Sequence, residues 1–143
     1  MFSTKSSSRK SAFTLVEILI VIAILAILAV VTFVVINPAQ RINDSNDTRR
    51  REEVNNILGA INLYQVDNNG AAPTAASAAL PTVTVANIMT AGADATDLDG
   101  IAPTYIASIP TDPGGAEYKV GVIGSSVIVG ITLSDSTVFT STN

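Results

Sequence analysis

The chain contains no cysteine, no histidine and no tryptophan. The first absence excludes disulfide staples, thiol nucleophiles, lipidated cysteine anchors and cysteine metal sites together. The second removes the commonest general base and the commonest neutral metal ligand. Beyond the first dozen residues Lys119 is the only lysine, and its neighbours Tyr118 and Val120 offer it no catalytic partner. No phosphate-cradling loop or dinucleotide fingerprint is present, since Gly114-Gly115 lacks the spacing that would have to follow. Enzymatic activity is therefore not expected. Aromatics are only 5% of the chain, so a small soluble core must rest on Val, Ile and Leu. With 143 residues there is room for one hydrophobic span and one domain of about 100 residues.

Charge is scarce where it would be needed for nucleic acid and concentrated where it orients a membrane protein. Residues 1 to 12 hold Lys5, Arg9 and Lys10 and no acid, whereas residues 13 to 143 hold five basic and twelve acidic side chains, 5 − 12 = −7. A short basic end before an apolar span stays cytoplasmic, which sends the acidic remainder across the membrane. An acidic domain offers no broad basic face to phosphates. The run Arg49-Arg50-Arg51 is followed at once by Glu52 and Glu53.

From Ile18 to Ile36 lie 19 residues whose only polar member is Thr32. As a helix rising ~1.5 Å per residue, such a run spans the ~30 Å hydrocarbon layer. Glu17 stands at its edge, and an ionisable group beside a membrane span is by default a candidate functional site. A secretory signal fits poorly. Its apolar region runs roughly 7 to 15 residues and precedes a small-residue cleavage site, whereas here the small pair Ser11-Ala12 comes before the apolar run.

That inversion, with Phe13-Thr14-Leu15-Val16-Glu17, closely resembles the class III signal of type IV pilins and type II secretion pseudopilins. The resemblance implies that a prepilin peptidase cuts between Ala12 and Phe13 on the cytoplasmic side, releasing a leader of residues 1–12, and that Phe13 is then N-methylated. The family usually has Gly before the scissile bond; this chain has Ala12. Glu17 becomes the fifth residue of the mature chain, where the family places its characteristic carboxylate. The physics agrees: a free α-amino group at Phe13 is cationic at neutral pH and Glu17 anionic, and each is costly in apolar surroundings unless the two pair between neighbouring subunits.

Asn37-Pro38 interrupts the apolar pattern, so Pro38 either kinks the helix or begins a new one with Asn37 as its N-cap. Beyond it, Val54, Ile57, Leu58, Ile61 and Tyr64 recur at helical spacings, opposite polar Arg51, Asn55 and Asn62, and Asn68-Asn69-Gly70 supplies a C-terminal stop. Residues 71–104 are rich in Ala, Thr and Pro and read as a surface connection with a short helix around Val85 to Thr90. Tyr118 to Ile123 and Val127 to Leu133 read as strands joined through Gly124-Ser125, with Thr137 to Thr140 as an edge strand. The run Ile109-Pro110-Thr111-Asp112-Pro113-Gly114-Gly115 resembles the proline-aspartate-proline loop of the major type II secretion pseudopilin. Asp94, Asp97 and Asp99, with Asp112 or Glu117 brought near, are candidate oxygen ligands for Ca²⁺, which needs about six to eight of them; the EF-hand spacing is absent. Apart from that, no cofactor is expected.

The expected organisation is therefore a leader (1–12), a membrane or filament-core helix (13–37), its amphipathic continuation (38–70), a surface connection (71–104) and an antiparallel sheet region (105–143). This is an α+β architecture of the pilin type. The resemblance implies a homo-oligomeric helical filament as the main partner, together with the peptidase and an assembly machinery. The protein would sit in the cytoplasmic membrane before assembly and in a surface or extracytoplasmic filament afterwards. A type IV pilus subunit, a secretion or competence pseudopilin, and a monomeric membrane-anchored binding protein are the readings left open, in that order.

Overall fold

The structure is a computed structural model that describes residues 13–143. The expected leader, with Ala12 and the bond after it, lies outside the described residues. The chain divides into two units, the first ending at Arg41 and the second running from Ile42 to Asn143.

In the first unit, α1 (Leu15–Ile36) begins at Thr14, whose side chain accepts the Glu17 N–H at 3.3 Å while its backbone is extended. This N-cap supplies a partner for one of the donors that every helix start leaves open. The one polar side chain within the span, Thr32, donates to the Leu28 carbonyl at 2.8 Å, so its hydroxyl needs no water. Helix α1 stops at Asn37, which adopts the left-handed conformation with φ 41° and ψ 72°. A residue before proline is disfavoured in the right-handed helical region, and asparagine tolerates the left-handed one. Pro38 then opens α2 (Pro38–Asp67), whose first amides, those of Gln40 and Arg41, donate to the Asn37 carbonyl. Of the two expectations for this site, the helix restart is the one observed, with Pro38 at a first position where a missing N–H costs nothing.

In the second unit, α2 buries Val54, Ile57, Leu58, Ala60 and Ile61 against a four-stranded antiparallel sheet. The helix ends as its sequence predicts: Asn69 and Gly70 take positive φ, and the Gly70 amide donates to the Gln65 carbonyl. The sheet order is β3 (Ala93–Asp94), β4 (Lys119–Ile123), β5 (Ser126–Thr132) and β6 (Val138–Thr142). Strands β4 and β5 form a hairpin closed by Gly124-Ser125, with Gly124 at φ +62°. On β5, Val127, Val129 and Ile131 belong to the cluster under α2, while Ile128 faces away and packs with Val83 and Ile88.

Residues 71–104 are more structured than their composition suggests. They carry a small hairpin, β1 (Thr74–Ala75) with β2 (Ala78–Ala79), the helical turn α3 (Ile88–Ala91), and strand β3 of the main sheet. Expected as a surface connection, the segment instead buries Pro73, Leu80, Val83, Ile88, Ala95 and Leu98. The sheet's second face is what calls for this cover. Gly121 and Gly130 put no side chain on that face, and a Cβ on Gly121 would lie 2.5 Å from Val83. Apolar residues spaced irregularly around alanines and prolines gave no periodic signal.

Candidate functional site

The N-terminal candidate site is built by the first turn of α1. Thr14 caps the helix, which places Glu17 in the first turn, where the partial positive charge of the helix end favours a carboxylate. Among the described residues no group donates to the Glu17 carboxylate, so the reciprocal half of a capping box is not made. Phe13 is 71% exposed. From Leu15 to Val35 the described large apolar side chains are 47 to 81% exposed. An 18-residue window of the long N-terminal helix has a mean hydropathy of 3.5. It is long and apolar enough to cross a membrane.

A second constellation ties α2 to the sheet region. Arg50 donates from Nε and Nη2 to the two carboxylate oxygens of Asp112 at 2.7 and 2.8 Å, and from Nη1 to Asp47 at 3.0 Å. Asp112 also accepts the amides of Gly114 and Ala116, and Asp47 accepts the amide and hydroxyl of Ser134. One turn on, Glu53 accepts the Tyr118 hydroxyl and Arg49 Nε. The Arg50 guanidinium and the loop amides hold the Asp112 carboxyl below the usual carboxylate range. Burial, with the neighbouring Glu53 carboxylate, pushes the Tyr118 hydroxyl up. These groups lock the loop from Pro110 to Ala116 onto the helix. The tight turn needs Gly114, where a Cβ would meet Arg50 and Asp112 at 2.9 Å.

The carboxylates considered for Ca²⁺ are only partly brought together. Asp94, Asp112 and Glu117 line one shallow cavity of about 200 Å³, and Asp97 and Asp99 do not. Cationic groups already stand beside those three: Arg50 holds Asp112, and Lys119 Nζ lies 2.5 Å from Glu117 and 3.7 Å from Asp94. Asp99 is engaged with Thr74 and the Ser77 amide. No group of three carboxylates placed to hold a metal ion occurs among the described residues.

The Arg50 to Asp112 pair was not visible as a pair, because 62 residues separate its members. Yet a signal existed. Position 50 continues the buried stripe of Val54, Ile57 and Ile61 at helical spacing, so an arginine there faces inward and requires a carboxylate.

Residues 7–33 match the family described as the prokaryotic N-terminal methylation motif. The chain thus carries a prepilin signal of the type IV pilin and pseudopilin kind. No curated protein and no solved structure matches the chain.

Proposed function

We propose that a chain bearing this signal serves as the structural subunit of a type IV pilus, polymerising after removal of residues 1–12. The observation that carries the reading is the junction itself: Ser11-Ala12 and Phe13-Thr14-Leu15-Val16-Glu17 lead into an uncharged helix whose described apolar side chains are exposed. Such a surface has two stable homes, a bilayer and a bundle of its own copies. Apolar burial contributes roughly 25 cal/mol per Å² in leaving water, and from lipid to protein the gain comes from packing and polar pairing.

Cleavage between Ala12 and Phe13 would create an α-amino group at Phe13, subsequently methylated, and Glu17 of a neighbouring copy would accept it. Unpaired, each charge in apolar surroundings costs several kcal/mol. Paired across copies they offset one another and set the axial register of an incoming subunit. The amphipathic α2 and the sheet then form the filament's outer layer, and the prepilin peptidase and an assembly machinery are its partners. A second reading, a pseudopilin forming a short extracytoplasmic filament for secretion or DNA uptake, draws support from the resemblance of the loop Pro110-Thr111-Asp112-Pro113 to that of the major type II secretion pseudopilin.

Glu17→Ala tests the pairing. The variant is expected to insert in the cytoplasmic membrane at the normal level while filament yield collapses, as read by shearing and electron microscopy. Normal filaments in the variant would refute the role of Glu17. Surface filaments that vanish on deletion of the chain would separate the pilus from the secretion reading.

A further inference from the structure

The two edges of the main sheet differ in how they meet solvent. Strand β3 is two residues long, and its pairing with β4 sets Asp94 opposite Lys119. Shortness and charge are ordinary protections against unwanted strand pairing. Strand β6 has neither. It is five residues long, uncharged and free of proline and glycine, and its register with β5 runs without a bulge. The ladder also fixes which groups face outward. The Leu133 amide donates to the Thr137 carbonyl and the Asn143 amide to the Val127 carbonyl, so Phe139 and Ser141 are the β6 residues that exchange bonds with β5. By the alternation of an antiparallel ladder, the amides and carbonyls of Val138, Thr140 and Thr142 point away from the sheet. Among the described residues no backbone group takes them up.

We propose that this edge pairs with the same edge of a second copy, antiparallel and centred on Thr140. A two-fold contact needs a self-complementary surface, and the outward-facing positions of β6 supply one. With Thr140 opposite its own counterpart, Val138 faces Thr142 of the second copy and Phe139 faces Ser141, so every outward amide and carbonyl of the strand meets a partner. Threonine pairs are among the favourable cross-strand combinations. Asp135 falls outside the paired stretch. Charge selects the same place: from Val54 to Asn143 the chain holds seven carboxylates and one lysine, so like-charged copies approach most easily along an uncharged edge. The pairing strengthens as salt screens the repulsion elsewhere. A two-fold contact does not relate successive subunits of a filament that grows by head-to-tail repetition. It joins copies from two filaments, where repetition along the length adds many weak pairings. That consequence rests on the polymerising reading; the strand contact itself does not.

The native chain lacks cysteine, which makes the register testable in the full-length, detergent-solubilised protein without any filament. Thr140→Cys sets two thiols opposite one another on Cα atoms about 5.5 Å apart, a separation that a disulfide spans. Mild oxidation is expected to give a disulfide-linked dimer at about tenfold or more the yield of Val66→Cys, because strand pairing raises the effective concentration of the two thiols. Val66 is an exposed site on α2 and serves as the control for random collision. Val138→Cys and Thr142→Cys should each stay monomeric alone and cross-link when mixed, with a yield that rises with salt. Thr140→Pro removes the central outward donor, a change that an edge strand tolerates. Carried in both copies, it should abolish the mixed Val138 to Thr142 cross-link and leave the thermal midpoint in place. Equal dimer yields from Thr140→Cys and Val66→Cys, or Val138→Cys cross-linking to itself in preference to Thr142→Cys, would overturn the proposal. Should Thr140→Pro fail to fold, the cross-linking register alone decides. A chain that dimerises at Thr140 but forms no filament would instead sink only the polymerising reading.

Discussion

At the scale of single residues, three side chains carry separate duties. Ala12 supplies the small side chain before the proposed scissile bond, and Ala12→Leu is expected to block processing, leaving Met1 in the protein recovered from membranes. Glu17 owes its position to Thr14, which caps α1 without drawing on the carboxylate. Asp112 holds the Pro-rich loop to Arg50, with side-chain exposures of 1% and 11%. Removing Asp112 leaves Arg50 with Asp47 as its remaining carboxylate and frees the loop amides, so Asp112→Ala should lower unfolding stability by about 1.5–3 kcal/mol. The lowered Asp112 pKa means its carboxylate form is favoured by folding. Its contribution is therefore complete above the unfolded carboxylate range, near pH 4, and is lost as pH falls through the still lower folded value. Acid titration of thermal unfolding should show that loss in the native chain and a flatter profile in Asp112→Asn. Glu17 stands out in the sequence as a lone acid beside an uncharged run, and its role rests on the Glu17→Ala test. Arg50 was hidden within a charge run.

At the scale of elements, α2 and the β4 to β5 hairpin were legible and the segment between them was not. The helix announces itself through the periodic stripe of Val54, Ile57, Leu58 and Ile61, and the hairpin through two β-rich runs around Gly124-Ser125. Residues 81–92 lack any period because their placement follows from the sheet they cover. Val83 and Ile88 settle over Gly121 and Gly130, where side chains would have filled the space. That dependence makes a sharp prediction. Gly121→Ala puts a methyl group 2.5 Å from Val83 and 3.0 Å from the Pro81 carbonyl, and should destabilise the second unit by roughly 1–3 kcal/mol. Val83→Ala in the same chain should recover part of the loss in urea unfolding. If Gly121→Ala is neutral, the close seating of this segment is wrong.

At the scale of the whole molecule, one chain joins a helix long and apolar enough to cross a membrane to a small α+β unit. Its fold class was legible because each part has its own pattern: an uncharged run, a helical stripe and alternating strands. The long-range ties were not, because Asp47 to Ser134 and Arg50 to Asp112 join segments that sequence spacing cannot relate. In the function proposed above, cleavage after Ala12 produces a subunit whose new amine and whose Glu17 drive polymerisation. Intact-mass analysis of the chain recovered from sheared filaments tests it most directly. A species beginning at Phe13, carrying one N-terminal methyl group and lacking residues 1–12, is expected. Filaments built from a chain that retains Met1, or filaments that do not contain this chain at all, would contradict it.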